Sequence, residues 1–106
     1  MVDIDTFRNL ALSMPDAYEA PHFEIPSFRF KKKIFATYHP KDNKAMVKLS
    51  LVDQSAFCSI DSKAFHPVPG GWGLQGATYV ELDKAHPEMF ADALKTAYEM
   101  AKGKKK

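Results

Sequence analysis

The stretch 26–39, PSFRFKKKIFATYH, does most to limit what this chain can become. Phe28 and Phe30 alternate with Ser27, Arg29 and Lys31, the two-residue period of a strand with one apolar face. Ile34, Phe35, Ala36, Thr37 and Tyr38 follow, residues that suit a pleated surface. Lys31, Lys32 and Lys33 fall between them, where a hairpin turns. One element therefore supplies core aromatics and a local positive patch.

The rest of the chain is read around that hairpin. Residues 3–14 predict a helix with Asp3 or Asp5 as its cap, because a carboxylate there accepts orphan amide hydrogen bonds. Ile4, Phe7, Leu10, Ala11 and Met14 share one face, and Pro15 ends the helix. Asp16 to Phe23 predicts a connector with strand character at Ala17–Ala20. Pro40 to Lys44 is a turn signal. Met46, Val47, Leu49 and Leu51 predict a third strand, with Lys48 and Ser50 facing the other way. A helix is expected over 52–62, capped by Ser50 or Asp53 and burying Ala56, Phe57 and Ile60. Thr78, Val80 and Leu82 alternate with Tyr79 and Glu81 as a last strand. His86-Pro87 opens a final helix, since proline lacks an amide the first turn would leave unbonded. Phe90, Ala93, Leu94, Ala97, Tyr98 and Ala101 are its buried stripe.

The predicted order is α-β-β-β-α-β-α, with one further short strand open at Phe65–Val68. Helices on one face of an antiparallel sheet make an α+β two-layer sandwich. With 106 residues the chain fits one domain, 1–102, followed by a basic tail, 103–106. Composition excludes disorder: 45% of residues are hydrophobic and 26% charged. The net charge is only +2, and four of the basic residues are Lys102, Lys104, Lys105 and Lys106, so the body without them carries −2. Any anion-binding face must be local. Cys58 is the single cysteine, so no intrachain disulfide forms and the thiol is expected to be quiet and buried. MVDIDTF is not a signal peptide, and no stretch reaches the ~20 apolar residues of a membrane span, so a cytoplasmic protein without membrane contact is expected.

Residues 71–76, GWGLQG, spell G-x-G-x-x-G, but a dinucleotide site needs a strand before and a helix after. Here two prolines precede and a strand follows, so no cofactor is implied. Trp72, flanked by glycines, is expected outside helix and strand, either plugging the core edge or standing out as a stacking surface. Arg29, Lys31, Lys32 and Lys33, with Lys48 and Lys44 nearby, are either a solvated turn that discourages edge pairing or phosphate contacts. The histidines lack helix-borne metal spacing; His22 and Glu24 would share a strand face and could bind a metal only with a third ligand. No nucleophile–base pattern is present, so a non-catalytic domain is expected.

Three blocks carry a resemblance. They are 19–23 with 26–30 and 33–36, then 71–73 with 76–82, and the alanine-rich helix 93–98. Together they resemble the MmcQ/YjbR family of small bacterial proteins. The resemblance implies a compact α+β fold like that of secretion chaperones, and DNA as partner through a double-wing arrangement of strands. Arg29 and Lys31–Lys33 would then lie on a wing, with Trp72 near the same face. Relatives often have glycine in the hairpin turn where this chain has three lysines, and a basic residue where it has Leu74. The alternative is a protein-interaction or small-ligand domain centred on Trp72, with His22, Phe23 and Tyr79 around it. A monomer or weak homodimer is expected in either case.

Overall fold

A computed structural model describes residues 2–103 of the chain. The chain turns tightly at both ends of its second strand. Phe23-Glu24 joins β1 (Ala17–His22) to β2 (Ile25–Phe30), and Lys31-Lys32 joins β2 to β3 (Lys33–His39). The four turn residues have φ of 51°, 71°, 49° and 72°. Positive φ at both central positions marks the mirror-image two-residue turn, whose twist matches that of the strands it connects. The connector expected at Asp16–Phe23 is thus a full strand, paired along its length with β2. Glu24 lies in the turn and does not share a strand face with His22.

The sheet continues with β4 (Lys44–Lys48), β6 (Ala77–Glu81) and β5 (Phe65–Pro67), in the order β1-β2-β3-β4-β6-β5. Every neighbouring pair is antiparallel. The short strand at Phe65 is therefore real, and it forms one edge. The third strand ends earlier than its apolar pattern suggests. Ser50 Oγ accepts the Asp53 amide at 3.1 Å and caps α2 (Leu51–Ile60), so Leu51 opens a helix and is exposed. Ala45, Val47 and Leu49 face inward instead, while Met46 and Lys48 take the other face.

A bulge on β3 decides which of its residues are core. Phe28 pairs with Ala36 but Arg29 pairs with Ile34, leaving Phe35 as the extra residue. Phe35 and Ala36 both turn to the helix side and are fully buried. Ile34 and Thr37 both face the opposite way. Without the bulge, strict alternation would put one of the two buried residues into water.

Helices α1 (Ile4–Leu12), α2 and α4 (Pro87–Ala101) cover that helix side. Asp3 caps α1 by accepting the Thr6 amide at 2.8 Å. Phe7 packs its ring 5.0 Å from both Phe28 and Phe90, joining α1, β2 and α4 in one aromatic cluster. Tyr98 packs on Phe30 and Phe35 and donates its hydroxyl to Pro15 O at 2.6 Å. Phe57 of α2 stacks on Phe65, but Ala56 and Ile60 are exposed rather than buried. The reason is that α2 lies on the three-residue edge strand β5, which covers only a narrow stripe of it. Of the expected basic tail, Lys104 to Lys106 lie outside the described residues.

Candidate functional site

The face of the sheet away from these three helices bears a cleft of about 300 Å³. Its floor comes from alternate residues of four strands: Ile25 on β2, Thr37 and His39 on β3, Met46 on β4, and Tyr79 on β6. His22 and Trp72 stand at its margins. The period-two pattern that buries Val47 and Val80 on one side necessarily presents Met46, Lys48 and Tyr79 on the other.

Trp72 reaches this cleft on α3 (Gly71–Leu74), a single helical turn. The expectation that a glycine-flanked tryptophan lies outside any helix is corrected here. The turn seats so closely that a Cβ on Gly73 would overlap Val68 O, and one on Gly76 would overlap Leu49 O. Gly76 also has a φ of 106°, a conformation that favours glycine. Gln54 holds the turn in place from α2: its buried amide donates to Gly73 O and Ala77 O, both at 3.0 Å. Trp72 is 64% exposed, so of the two placements expected for it the structure shows the outward one.

The basic residues divide into two groups. Lys32, Lys33 and Lys48 meet around a second depression beside the C-terminal turn of α4, lined also by Ile34, Met100 and Ala101. This depression and the cleft share Ile34 and Lys48. The Lys48 ammonium also lies 5.9 Å from the Trp72 ring. Arg29 sits on the same face but is partly engaged. Its Nε donates to Ser27 Oγ at 3.0 Å and its Nη2 to Pro21 O at 3.2 Å, which ties β2 to β1. Lys31, at the hairpin tip, lies 5.6 Å over Phe30, away from the cleft.

Cations stand at both ends of this face, with Lys48 at one and Lys44 and Lys84 at the other. At the end opposite Lys48, Glu81 pairs with His66 Nε2 at 2.7 Å and with Lys84 at 3.5 Å. Burial pushes the Glu81 carboxyl up, but Lys84 and His66 outweigh it and hold the pKa below its ordinary value. In the same cross-strand row as Lys44 and Glu81, burial pushes the His39 pKa down; Asp42 opposes this and Lys44 adds to it. Thr37 Oγ1 and His39 Nε2 share a hydrogen bond at 2.8 Å, and the His39 ring packs edge-on to Tyr79 at 5.7 Å. The Lys44 ammonium lies 5.0 Å from the centre of the same Tyr79 ring.

Of the residues singled out in the sequence, Lys32, Lys33 and Lys48 come together, Lys48 also meets Trp72, Arg29 shares their face but lines neither depression, and Lys31 points elsewhere. Thr37, His39, Met46 and Gln54 had no signal. The first three become visible only when the bulge and the register are known, and Gln54 reads as an ordinary surface glutamine on a helix. Cys58 is half-buried, and burial pushes its thiol up, away from the reactive thiolate. Among the described residues no group of three or more His, Cys, Asp or Glu could hold a metal ion, and no helix is long and apolar enough to cross a membrane.

No curated protein matches the chain. Among solved structures, it is similar to a Deinococcus radiodurans protein, DR2400, with a DUF419 domain. The TM-score is 0.82 at 19% identity, over 100% of this chain and 84% of that one. This likeness establishes the α+β sandwich. The sequence model of the YjbR family matches residues 12–100, which takes in all six strands and nearly all of the closing helix, and the chain belongs to that family.

Proposed function

We propose that this protein is a non-catalytic nucleic-acid-binding domain whose contact surface is the open sheet face with the β2–β3 hairpin. The observation that carries this reading is the meeting of Lys32, Lys33 and Lys48 around one depression, which Lys48 joins to a cleft bearing an exposed tryptophan. Three ammonium groups on one rim match a phosphate backbone, and a flanking indole matches a base. The turn itself adds support. Lys31 and Lys32 occupy left-handed positions that glycine would fill with less strain. Keeping lysine there maintains charge at a conformational cost.

That cost gives a clean test. A Lys31→Gly/Lys32→Gly double variant removes two charges and relaxes the turn, while the Lys32 amide keeps its hydrogen bond to the Tyr18 hydroxyl. Its stability should match the parent's or exceed it by up to about 1 kcal/mol. Its affinity for DNA, followed by anisotropy across a salt series, should fall. The slope of log K against log salt should become shallower by about 0.7–0.9 for each phosphate that the hairpin no longer neutralises. A variant that binds as the parent does would remove Lys31 and Lys32 from the site. Phe23, Trp72 and Leu74 are all exposed and favour a second reading, a protein-contact surface. Self-association insensitive to salt, in place of DNA binding, would be its signature.

A further inference from the structure

We infer that the cleft seats one unpaired nucleobase of a single strand, between Trp72 and Tyr79, with the adjoining phosphates on Lys48, Lys32 and Lys33. This rests on the nucleic-acid reading above and narrows its ligand from nucleic acid in general to strands with unpaired bases.

The size and lining of the cleft point to a base. About 300 Å³ is at the small end of small-molecule sites, room for one ring system but not for a stacked pair. Its lining is mostly apolar or aromatic, with Ile25, Met46 and Val68 around Tyr79 and Trp72. A planar, weakly polar group fits such walls better than a sugar or a peptide backbone does. The one polar pair on the floor is Thr37 with His39. A hydroxyl and an imidazole there can donate to or accept from the edge of a base.

The position of the charges points to a strand. Lys48 lines both the cleft and the neighbouring depression, so a phosphate on it is attached to whatever occupies the cleft. Lys32 and Lys33 lie further along the same depression, where the next phosphates of a chain would run. A duplex cannot use this arrangement, because its bases are paired and stacked and would have to be extruded first. Open sheet faces with exposed aromatics and flanking cations suit splayed single strands for the same reason.

The test uses the full chain and its only tryptophan as the reporter. Three probes carry the same number of phosphates: a short mixed-sequence single strand, a blunt duplex, and an abasic single strand. A mononucleotide is the fourth. The single strand should bind at least tenfold tighter than the duplex or the abasic strand and quench Trp72 emission. Trp72→Ala, at an exposed position, should weaken the single strand by roughly 5- to 150-fold and leave the duplex unchanged. Equal, salt-dependent affinity for single strand, duplex and abasic strand would overturn the cleft inference while leaving the nucleic-acid reading standing. A mononucleotide that binds as tightly as the strand would overturn the choice of a strand. No binding of any probe at low salt would remove both. The abasic comparison needs no variant, so it decides the question even if Trp72→Ala perturbs the fold.

Discussion

On its helix-covered side the sheet presents Phe28, Phe30, Phe35, Ala36, Val47 and Val80. From the same strands, the other side presents Arg29, Ile34, Thr37, His39, Met46, Lys48 and Tyr79. The first set is what a core requires: apolar volume in close contact, with three aromatic clusters tied to α1, α2 and α4. A merely solvated face would alternate in small polar and charged residues. This one instead gathers two aromatic rings, a histidine whose charging is opposed by burial, a methionine and a cluster of lysines around a depression. Backbone register serves both faces equally, so the difference lies in what each set of side chains is required to contact.

Truncation should separate the faces most strongly. Phe28→Ala removes a fully buried ring that packs on Phe7 and should cost about 3–5 kcal/mol in urea denaturation. Tyr79→Ala, on the opposite side of the sheet, should cost only about 1 kcal/mol, through its contacts with His39 and Lys44. Equal effects at the two positions would mean that the open face is structural, and the comparison would fail.

A smaller effect is expected where the faces are joined. Gln54 starts on a helix of the covered side and ends on backbone carbonyls beneath Trp72. Gln54→Leu leaves the Gly73 and Ala77 carbonyls without that donor and should cost about 1–3 kcal/mol. It should also loosen α3, read as a change in Trp72 emission and a drop in affinity greater than the reduced stability accounts for. Unchanged emission would show that the glycine contacts alone seat the turn.

The sequence pattern carried the covered face well. Phe28/Phe30, Thr78/Val80/Leu82 and the stripe from Phe90 to Tyr98 all lie where their periods put them, because burial forces side chains to one side. The open face was legible only at its charges. Thr37 and His39 are invisible without the bulge at Phe35, and a bulge leaves no signature in a run of residues that all suit strands. The glycines around Trp72 signalled something unusual. Reading them as a loop missed that glycine also permits close packing, which is how a helical turn fits against Val68 and Leu49. At the other edge, β1 was underestimated because Glu19 and Pro21 break the apolar pattern. They are tolerated because an edge strand needs only one bonded side, and Glu19 is engaged by Arg8 at 2.8 Å.

The smallest effect is a titration on the open face. Burial lowers the His39 pKa below its ordinary 6.5, so the unfolded chain binds this proton more readily than the folded one does. Above the unfolded value the group contributes nothing to the pH dependence. As pH falls through about 6.5, protonation favours the unfolded state and stability declines, levelling off once pH passes below the folded value. Glu81, whose folded pKa is lowered, acts in the same direction but only in more acid solution, around and below its ordinary 4.5. The two groups therefore occupy separate windows. Denaturation midpoints taken between about pH 7.5 and 5.5 should fall slightly for the parent, and less for His39→Gln, which has no proton to gain. Parallel curves for the two proteins would show that the imidazole is charged as easily in the cleft as in water. The His39 end of the open face would then be solvated like any exposed sheet, and the contrast with the covered face would rest on its lysines and Trp72.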